Sequence, residues 1–218
     1  MVSVFNQKRK LYNLLRCHIP FMQIPKLISN SDFQALYRSL DNGRDKLIII
    51  LLYGTGCRVG ELVSSRVEDV DLNDGLIHLQ ANRTKTKKYR SAVIPSEILP
   101  SLKYWIMSLP EGCKWLFPGQ KDSHLTARRV RQIVHQAADK AGIQRIYAHD
   151  KNKRPLNVVS PHSLRHAHAV TALDAGVPLN DLQAQLGHSN LATTSVYLNV
   201  NLEHRKRSYE KVTFGVDK

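Results

Sequence analysis

The stretch from Ser160 to His166 has the sequence Ser160-Pro161-His162-Ser163-Leu164-Arg165-His166. A serine followed by a proline is typical of a helix start, with the serine as N-cap and the proline at the first helical position. His162 and Arg165 lie three residues apart, so they share one face of the first turn, whose free N–H groups favour an anion. The stretch therefore predicts a helix start that suits a phosphate. Taken alone, a solvated basic helix end explains a His-x-x-Arg pair better.

Two further side chains follow downstream. His188 comes directly after Leu186-Gly187, and a histidine at a glycine-terminated helix end is usually explained by the helix dipole. Tyr197 lies nine residues later, where an isolated tyrosine is normally half-buried packing. The same residue types can also move a proton and attack a phosphodiester.

Upstream, an apolar block at 47–53 predicts a buried helix that ends in a glycine-rich turn. Arg58 follows that turn within Gly56-Cys57-Arg58-Val59-Gly60-Glu61-Leu62. A turn of this kind lets a backbone approach a ligand closely, although a surface arginine after a helix break is the plain alternative. Glu61 either holds a neighbouring basic group in place or is only an acidic residue near a helix start.

A basic turn at 82–90 lies between two strand patterns, at 76–79 and 91–94. It carries three candidates for a general acid that protonates a leaving oxygen, Lys85, Lys87 and Lys88. Their spacing does not choose among them. A turn that only contacts phosphates is the alternative.

Charge narrows the class of partner. The chain has 218 residues and a formal net charge of +14, and this surplus favours a polyanion, nucleic acid before an anionic membrane surface. No stretch approaches the ~20 apolar residues that span a bilayer, so we expect no membrane insertion. Three unpatterned cysteines suggest free thiols in a reducing cytosol.

The helix predicted from Thr126 is amphipathic, with its apolar face at 130, 133, 134, 137 and 141. Its opposite face carries Arg128, Arg131 and His135, which is either a DNA-contacting surface or a solvated one. Elsewhere, Ser31 is the expected N-cap of a helix to about Leu40, and 143–159 is expected to form a basic loop.

A metal site is not expected. His162 and His166 have helical i, i+4 spacing, but no glutamate or cysteine stands near them. We predict no cofactor either, and assign His166 and His168 to structure or to DNA-backbone contact.

The candidate residues described above follow one another along the chain in a fixed order, from Arg58 to Tyr197. In this order and in its local sequences, the chain resembles the catalytic domain of the tyrosine recombinases, the phage-integrase-like site-specific recombinases. The resemblance covers roughly residues 27–200. It implies a mainly α-helical fold with a small antiparallel β-sheet (α+β), similar to type IB topoisomerases. It implies six catalytic residues: Arg58, Lys85, His162, Arg165, His188 and Tyr197.

The resemblance also implies a role for each of these residues. Arg58 and Arg165 clamp the scissile phosphate, and Tyr197 attacks it to form a 3′-phosphotyrosine link. Lys85 is the general acid, His162 assists proton transfer, and His188 hydrogen-bonds a phosphate oxygen. Lys87, Arg128 and Arg131 are weaker candidates for DNA contact.

The resemblance divides the chain into a basic arm and linker (1–26), a catalytic domain (27–201) and a tail that docks on another subunit (202–218). The arm is shorter than the separate DNA-binding domain that such proteins usually carry. The expected partner is double-stranded DNA, bound by a homo-tetramer in the cytoplasm at the nucleoid, with an accessory DNA-binding protein as a possible helper.

Three other functions compete with strand exchange. A type IB topoisomerase-like enzyme or hairpin-forming resolvase would keep the chemistry without exchange. A catalytically silent DNA-binding regulator would have no need of Tyr197. A metal-dependent nuclease would lose activity in chelator, and the scarcity of clustered carboxylates in the sequence weighs against it.

Overall fold

The computed structural model describes residues 28–80, 89–149, 153 and 155–187. Within these ranges, none of the helices has the length and apolar character that crossing a membrane requires. The elements in chain order are α1 (Asn30–Arg38), α2 (Gly43–Thr55), α3 (Val59–Val63), a short 3-10 helix (Val67–Asp69), β1 (Val70–Asp71), β2 (Leu76–Leu79), β3 (Arg90–Val93), α4 (Leu99–Met107), α5 (Ala127–Lys140), β4 (Ile146–His149), β5 (Pro155–Asn157), α6 (Pro161–Asp174) and α7 (Leu179–Leu186).

Helix α2 is the central element of the core. From Leu47 onward it is apolar on all sides, which is the pattern of a helix buried by its neighbours. The side chain of Asn42 caps its N-terminus by accepting from the Arg44 N–H, and Gly56 ends it in the left-handed conformation. Its fully buried side chains each contribute about 1.5–3 kcal/mol of hydrophobic stabilisation. They include Ile48, Ile49, Leu51 and Leu52.

Helix α5 has the amphipathic character that the sequence predicts. Thr126 is its N-cap, and its side chain accepts from the Arg129 N–H. The helix buries one face against the core and leaves Arg128, Arg131 and His135 exposed. The buried face comprises Val130, Ile133, Val134, Ala137 and Ala138.

The strands form two separate antiparallel sheets. Strands β1, β2 and β3 pair in that order, with Ile77 opposite Ala92 at a fully buried position. Strands β4 and β5 form a hairpin whose register is interrupted by a bulge. The basic loop expected at 143–159 is therefore wrong, because antiparallel pairing of 146–149 with 155–157 satisfies the backbone there.

The cap of α1 also differs from the prediction. The helix begins at Asn30, with Ser29 as its N-cap in place of Ser31. Ser29 is favoured because Asp32 lies at the third helical position, so the two side chains cap each other's backbone N–H groups.

Candidate active site

The start of α6 follows the sequence prediction closely. Ser160 is the N-cap, and its Oγ accepts from the Ser163 N–H at 3.1 Å, while the Ser160 N–H donates to Ser163 Oγ at 2.7 Å. Pro161 occupies the first helical position. This capping fixes the start of the helix, which carries His162 in its first turn and Arg165 at the beginning of its second.

Arg165 is almost fully buried, with 4% of its surface exposed. Its Nη1 donates to the Gly56 carbonyl at 2.6 Å, and its Nη2 donates to the Leu186 carbonyl at 2.7 Å. These carbonyls belong to the C-terminal ends of α2 and α7, where the helix dipoles favour a positive charge. Two of the five N–H donors are thereby used to hold the guanidinium plane in place.

Burial, and then the nearby charge of Arg58, lowers the pKa of Arg165 to about 10. The side chain therefore stays protonated at neutral pH. A guanidinium fixed in this way is preorganised for a phosphate, because it does not have to be reoriented when the anion binds.

The turn after α2 brings Arg58 to the same place. Gly56 has φ +63°, and a Cβ at this position would lie 2.5 Å from His168 Cδ2 and 2.8 Å from Leu186 Cδ2. Only glycine therefore allows the chain to turn this closely against α6 and α7. Arg58 follows as the N-cap of α3, with 36% of its side chain exposed.

Glu61 binds two arginines at once. Its Oε1 accepts from Arg58 Nη1 and its Oε2 from Arg90 Nη2, each at 2.8 Å. Its Oε2 also accepts from the Arg58 backbone N–H at 2.8 Å. Burial raises the pKa of Glu61, but Arg90 and Arg58 outweigh it and hold that pKa below its usual range. Of the two alternatives for Glu61, the first is confirmed, since its carboxylate holds the neighbouring Arg58 and Arg90, and it also caps the backbone of α3.

His162 and His166 form a hydrogen-bonded pair, with 2.7 Å between their Nε2 atoms. One ring donates and the other accepts. Burial and the charges of Arg165 and Arg58 lower the pKa of His162, and burial with His162 and Arg165 lowers the pKa of His166 to about 4. A neutral His162 at physiological pH suits a group that takes a proton during a reaction.

His168 has a structural role. Its Nδ1 bonds the Tyr53 carbonyl at 2.8 Å, and burial lowers the pKa of the ring to about 4. An unfolded histidine binds its proton below a pH of about 6.5, so the free energy of unfolding falls as the pH drops from about 6.5 to 4.

Replacing His168 with phenylalanine is expected to weaken this pH dependence. Between pH 7 and pH 4 the loss of unfolding free energy should shrink by about 3 kcal/mol, as measured by urea denaturation. The matched control replaces His149, which is exposed on β4. If His168→Phe and wild type lost the same unfolding free energy between pH 7 and pH 4, the lowered pKa of His168 would be contradicted.

A cleft of about 510 Å³ is lined by three of these groups. Arg58, His162 and Arg165 line it together with Arg131 and His135 of α5 and Tyr147 of the hairpin. Arg128 is exposed on the same helix but is not among the described residues that line the cleft. The structure thus brings together three of the predicted catalytic residues and one predicted DNA contact.

Sequence reasoning missed Arg90 and Tyr147. Arg90 belongs to a basic run and gives no sign of its buried ion pair with Glu61, while Tyr147 lies in a segment predicted as a loop. Five candidate residues lie outside the described residues, and their roles stay predictions: Lys85, Lys87, Lys88, His188 and Tyr197.

Residues 19–204 match the phage integrase family. Tyrosine recombinase XerA of Thermococcus kodakarensis is 32% identical over 193 residues, which cover 86% of this chain and 63% of that protein. The chain therefore spans less than two thirds of that relative's length.

Solved structures agree on the fold. A crystal structure of XerA recombinase superimposes with a TM-score of 0.69 at 25% identity, over 91% of this chain and 67% of that one. The Tn1549 transposon integrase, solved in complex with a circular intermediate DNA, has a TM-score of 0.69 at 18% identity, over 89% of this chain and 68% of that one. The second likeness concerns the fold alone.

Proposed function

The chain belongs to the phage integrase family, and we propose that it is a site-specific DNA recombinase that cleaves and rejoins DNA through a 3′-phosphotyrosine intermediate. The observation that carries the proposal is the convergence of Arg58, His162 and Arg165 on one cleft. Two fixed guanidinium groups beside a proton-accepting histidine match the charge that develops on a phosphodiester under attack.

Each residue has one step in this proposal. Arg58 and Arg165 bind the non-bridging oxygens, with His188 as a further donor. The Tyr197 oxygen bonds to phosphorus, and its proton passes to His162. The bond to the 5′ oxygen breaks, and that oxygen takes a proton from Lys85. The covalent link keeps the energy of the broken bond, so rejoining needs no nucleotide cofactor.

Double-stranded DNA is the proposed substrate. The net charge of +14 supports a polyanionic partner, and the Tn1549 integrase was solved with DNA. We further propose that a homo-tetramer performs exchange at the nucleoid, with or without an accessory DNA-binding protein. The division into arm (1–26), catalytic domain (27–201) and docking tail (202–218) is part of the same proposal.

Arg131 is proposed to contact a DNA phosphate because it is exposed on α5 and lines the cleft. Replacing it with alanine is expected to weaken binding at all sequences and to reduce the slope of log K against log salt by about 1. Fluorescence anisotropy over a salt series measures this slope.

Lys140→Ala is the matched control, since Lys140 lies on the same helix and pairs with Asp41 at 2.6 Å. It should leave the slope close to that of wild type. An unchanged slope in Arg131→Ala would show that Arg131 does not contact a DNA phosphate. Arg128→Ala and Lys87→Ala would then be compared in the same way.

Covalent trapping tests the proposed function. The chain is incubated in chelator with supercoiled plasmid carrying the DNA that flanks its gene, and the reaction is quenched with detergent. Protein attached to a DNA 3′ end is expected, with mass spectrometry placing the link on a tyrosine. Tight DNA binding without any adduct, on this DNA and on a mapped site, would favour a silent DNA-binding regulator.

A further inference from the structure

Arg90 begins β3, and its side chain bridges two distant parts of the cleft. Its Nη2 donates to Glu61 Oε2 at 2.8 Å, and its Nη1 donates to the Gln185 carbonyl near the end of α7. Only 11% of the side chain is exposed. One guanidinium therefore joins the segment of Arg58 to the segment that precedes His188.

Gln185 makes a second connection between the same elements. The Val93 N–H donates to Gln185 Oε1 at 2.9 Å, and Gln185 Nε2 donates to the Val93 carbonyl at 3.0 Å. The amide thus pairs with β3 as a neighbouring strand would. The same Nε2 lies 3.0 Å from the Thr55 carbonyl at the end of α2. The end of α7 is fixed to both β3 and α2.

The turn that follows α7 is shaped around Arg90. Gly187 has φ +65°, and a Cβ at this position would lie 2.5 Å from Arg90 Nε. A side chain at 187 would displace Arg90 or the turn. This close approach therefore ties the position of Gly187 to the position of one arginine.

We infer that Arg90 is a positioning residue for strand cleavage, an inference that rests on the proposed function. Through Glu61 it fixes Arg58, and through the end of α7 it fixes the Leu186 carbonyl that holds Arg165. Arg90 thus holds the two arginines of the proposed phosphate clamp, Arg58 and Arg165, in a fixed position relative to each other. Arg90 itself is not among the described residues that line the cleft.

Arginine suits this place because its planar fork donates in two directions from one rigid group. A lysine would keep the positive charge beside Glu61, but one ammonium cannot reproduce both fixed contacts. Arg90→Lys therefore separates the geometry of the bridge from its charge.

The experiment compares wild type with Arg90→Lys on the same DNA. At saturating DNA, we expect the rate of adduct formation to fall about 10- to 100-fold, as for a misplacement of about 1 Å in the catalytic groups. The Kd for DNA should change much less, because the clamp arginines remain. Arg66→Lys is the matched control, since Arg66 pairs with Glu68 at 2.7 Å on the neighbouring turn.

A double-mutant cycle with Glu61→Gln separates positioning from loss of stability. If Arg90 acts through Glu61, the two substitutions are expected to slow cleavage by less than the product of their separate effects. Urea denaturation of each variant gives the folded fraction by which its rate is corrected. An Arg90→Lys rate equal to wild type would overturn the inference while leaving the proposed function intact.

If wild type forms no adduct, that result counts against the proposed function and not against the inference. Hydrogen exchange then tests the inference on its own. Arg90→Lys should speed exchange of the N–H groups at 61–65 and 185–187 and leave that of α5 unchanged. Unchanged exchange at both 61–65 and 185–187 would contradict the inference that Arg90 holds these segments in place.

Discussion

Replacing Tyr197 with phenylalanine is expected to abolish the covalent protein–DNA adduct and to leave the affinity for DNA nearly unchanged. The substitution keeps the aromatic ring and removes only the oxygen that would bond to phosphorus. The remaining groups can bind and polarise the phosphate, but they supply no nucleophile that stays attached. Adduct yield after a detergent quench, measured beside a binding isotherm, gives both quantities.

Two other tyrosines serve as controls for this experiment. Tyr104 is 78% exposed on α4, so Tyr104→Phe should retain the adduct. Tyr147 lines the cleft and is the more stringent comparison. If Tyr147→Phe lost the adduct and Tyr197→Phe kept it, the assignment of the nucleophile would be wrong.

Replacing Arg165 with lysine is expected to slow adduct formation by about 10²–10³-fold or more, the usual effect of removing one preorganised donor to a developing oxyanion. A lysine cannot reach the carbonyls of Gly56 and Leu186 and also present two donors to a phosphate. The buried carbonyl left without its donor also costs about 1–3 kcal/mol of stability. Single-turnover cleavage at saturating DNA measures the rate.

Arg38→Lys is the matched control, because Arg38 is exposed in the last turn of α1. Rates are compared at a temperature where urea denaturation shows both variants to be folded. Cleavage by Arg165→Lys within a factor of about ten of wild type would mean that the carbonyl contacts only stabilise the fold.

The parts of the fold that sequence predicts are those fixed by local patterns. The apolar block of α2 requires burial on all sides, and the period of α5 separates its buried face from Arg128 and Arg131. The cap at Ser160 spans three residues, and so does the contact of Glu61 with a neighbouring basic group, which was one of the two alternatives for that residue. Such features depend on neighbours in the chain, so one sequence is enough to predict them.

The parts that sequence did not predict depend on distant partners. Arg90 and Gln185 are 95 positions apart, and nothing near Arg90 distinguishes it from the other basic residues of its turn. The β4–β5 hairpin shows no alternation of polar and apolar residues, because its strands are short, bulged and largely exposed. The order of the site residues came from family resemblance, whereas their arrangement required the structure.

The ion pairs of Glu61 leave a net positive charge beside the cleft. Arg58, Arg90 and Arg165 bring three positive charges close to one carboxylate, so two are left over. A phosphodiester in its ground state supplies one negative charge, so positive charge remains to stabilise the charge that develops on the phosphate oxygens during attack. Small oxyanions such as sulfate are expected to bind at this positive charge and to compete with DNA, so the choice of buffer will change the measured cleavage rates.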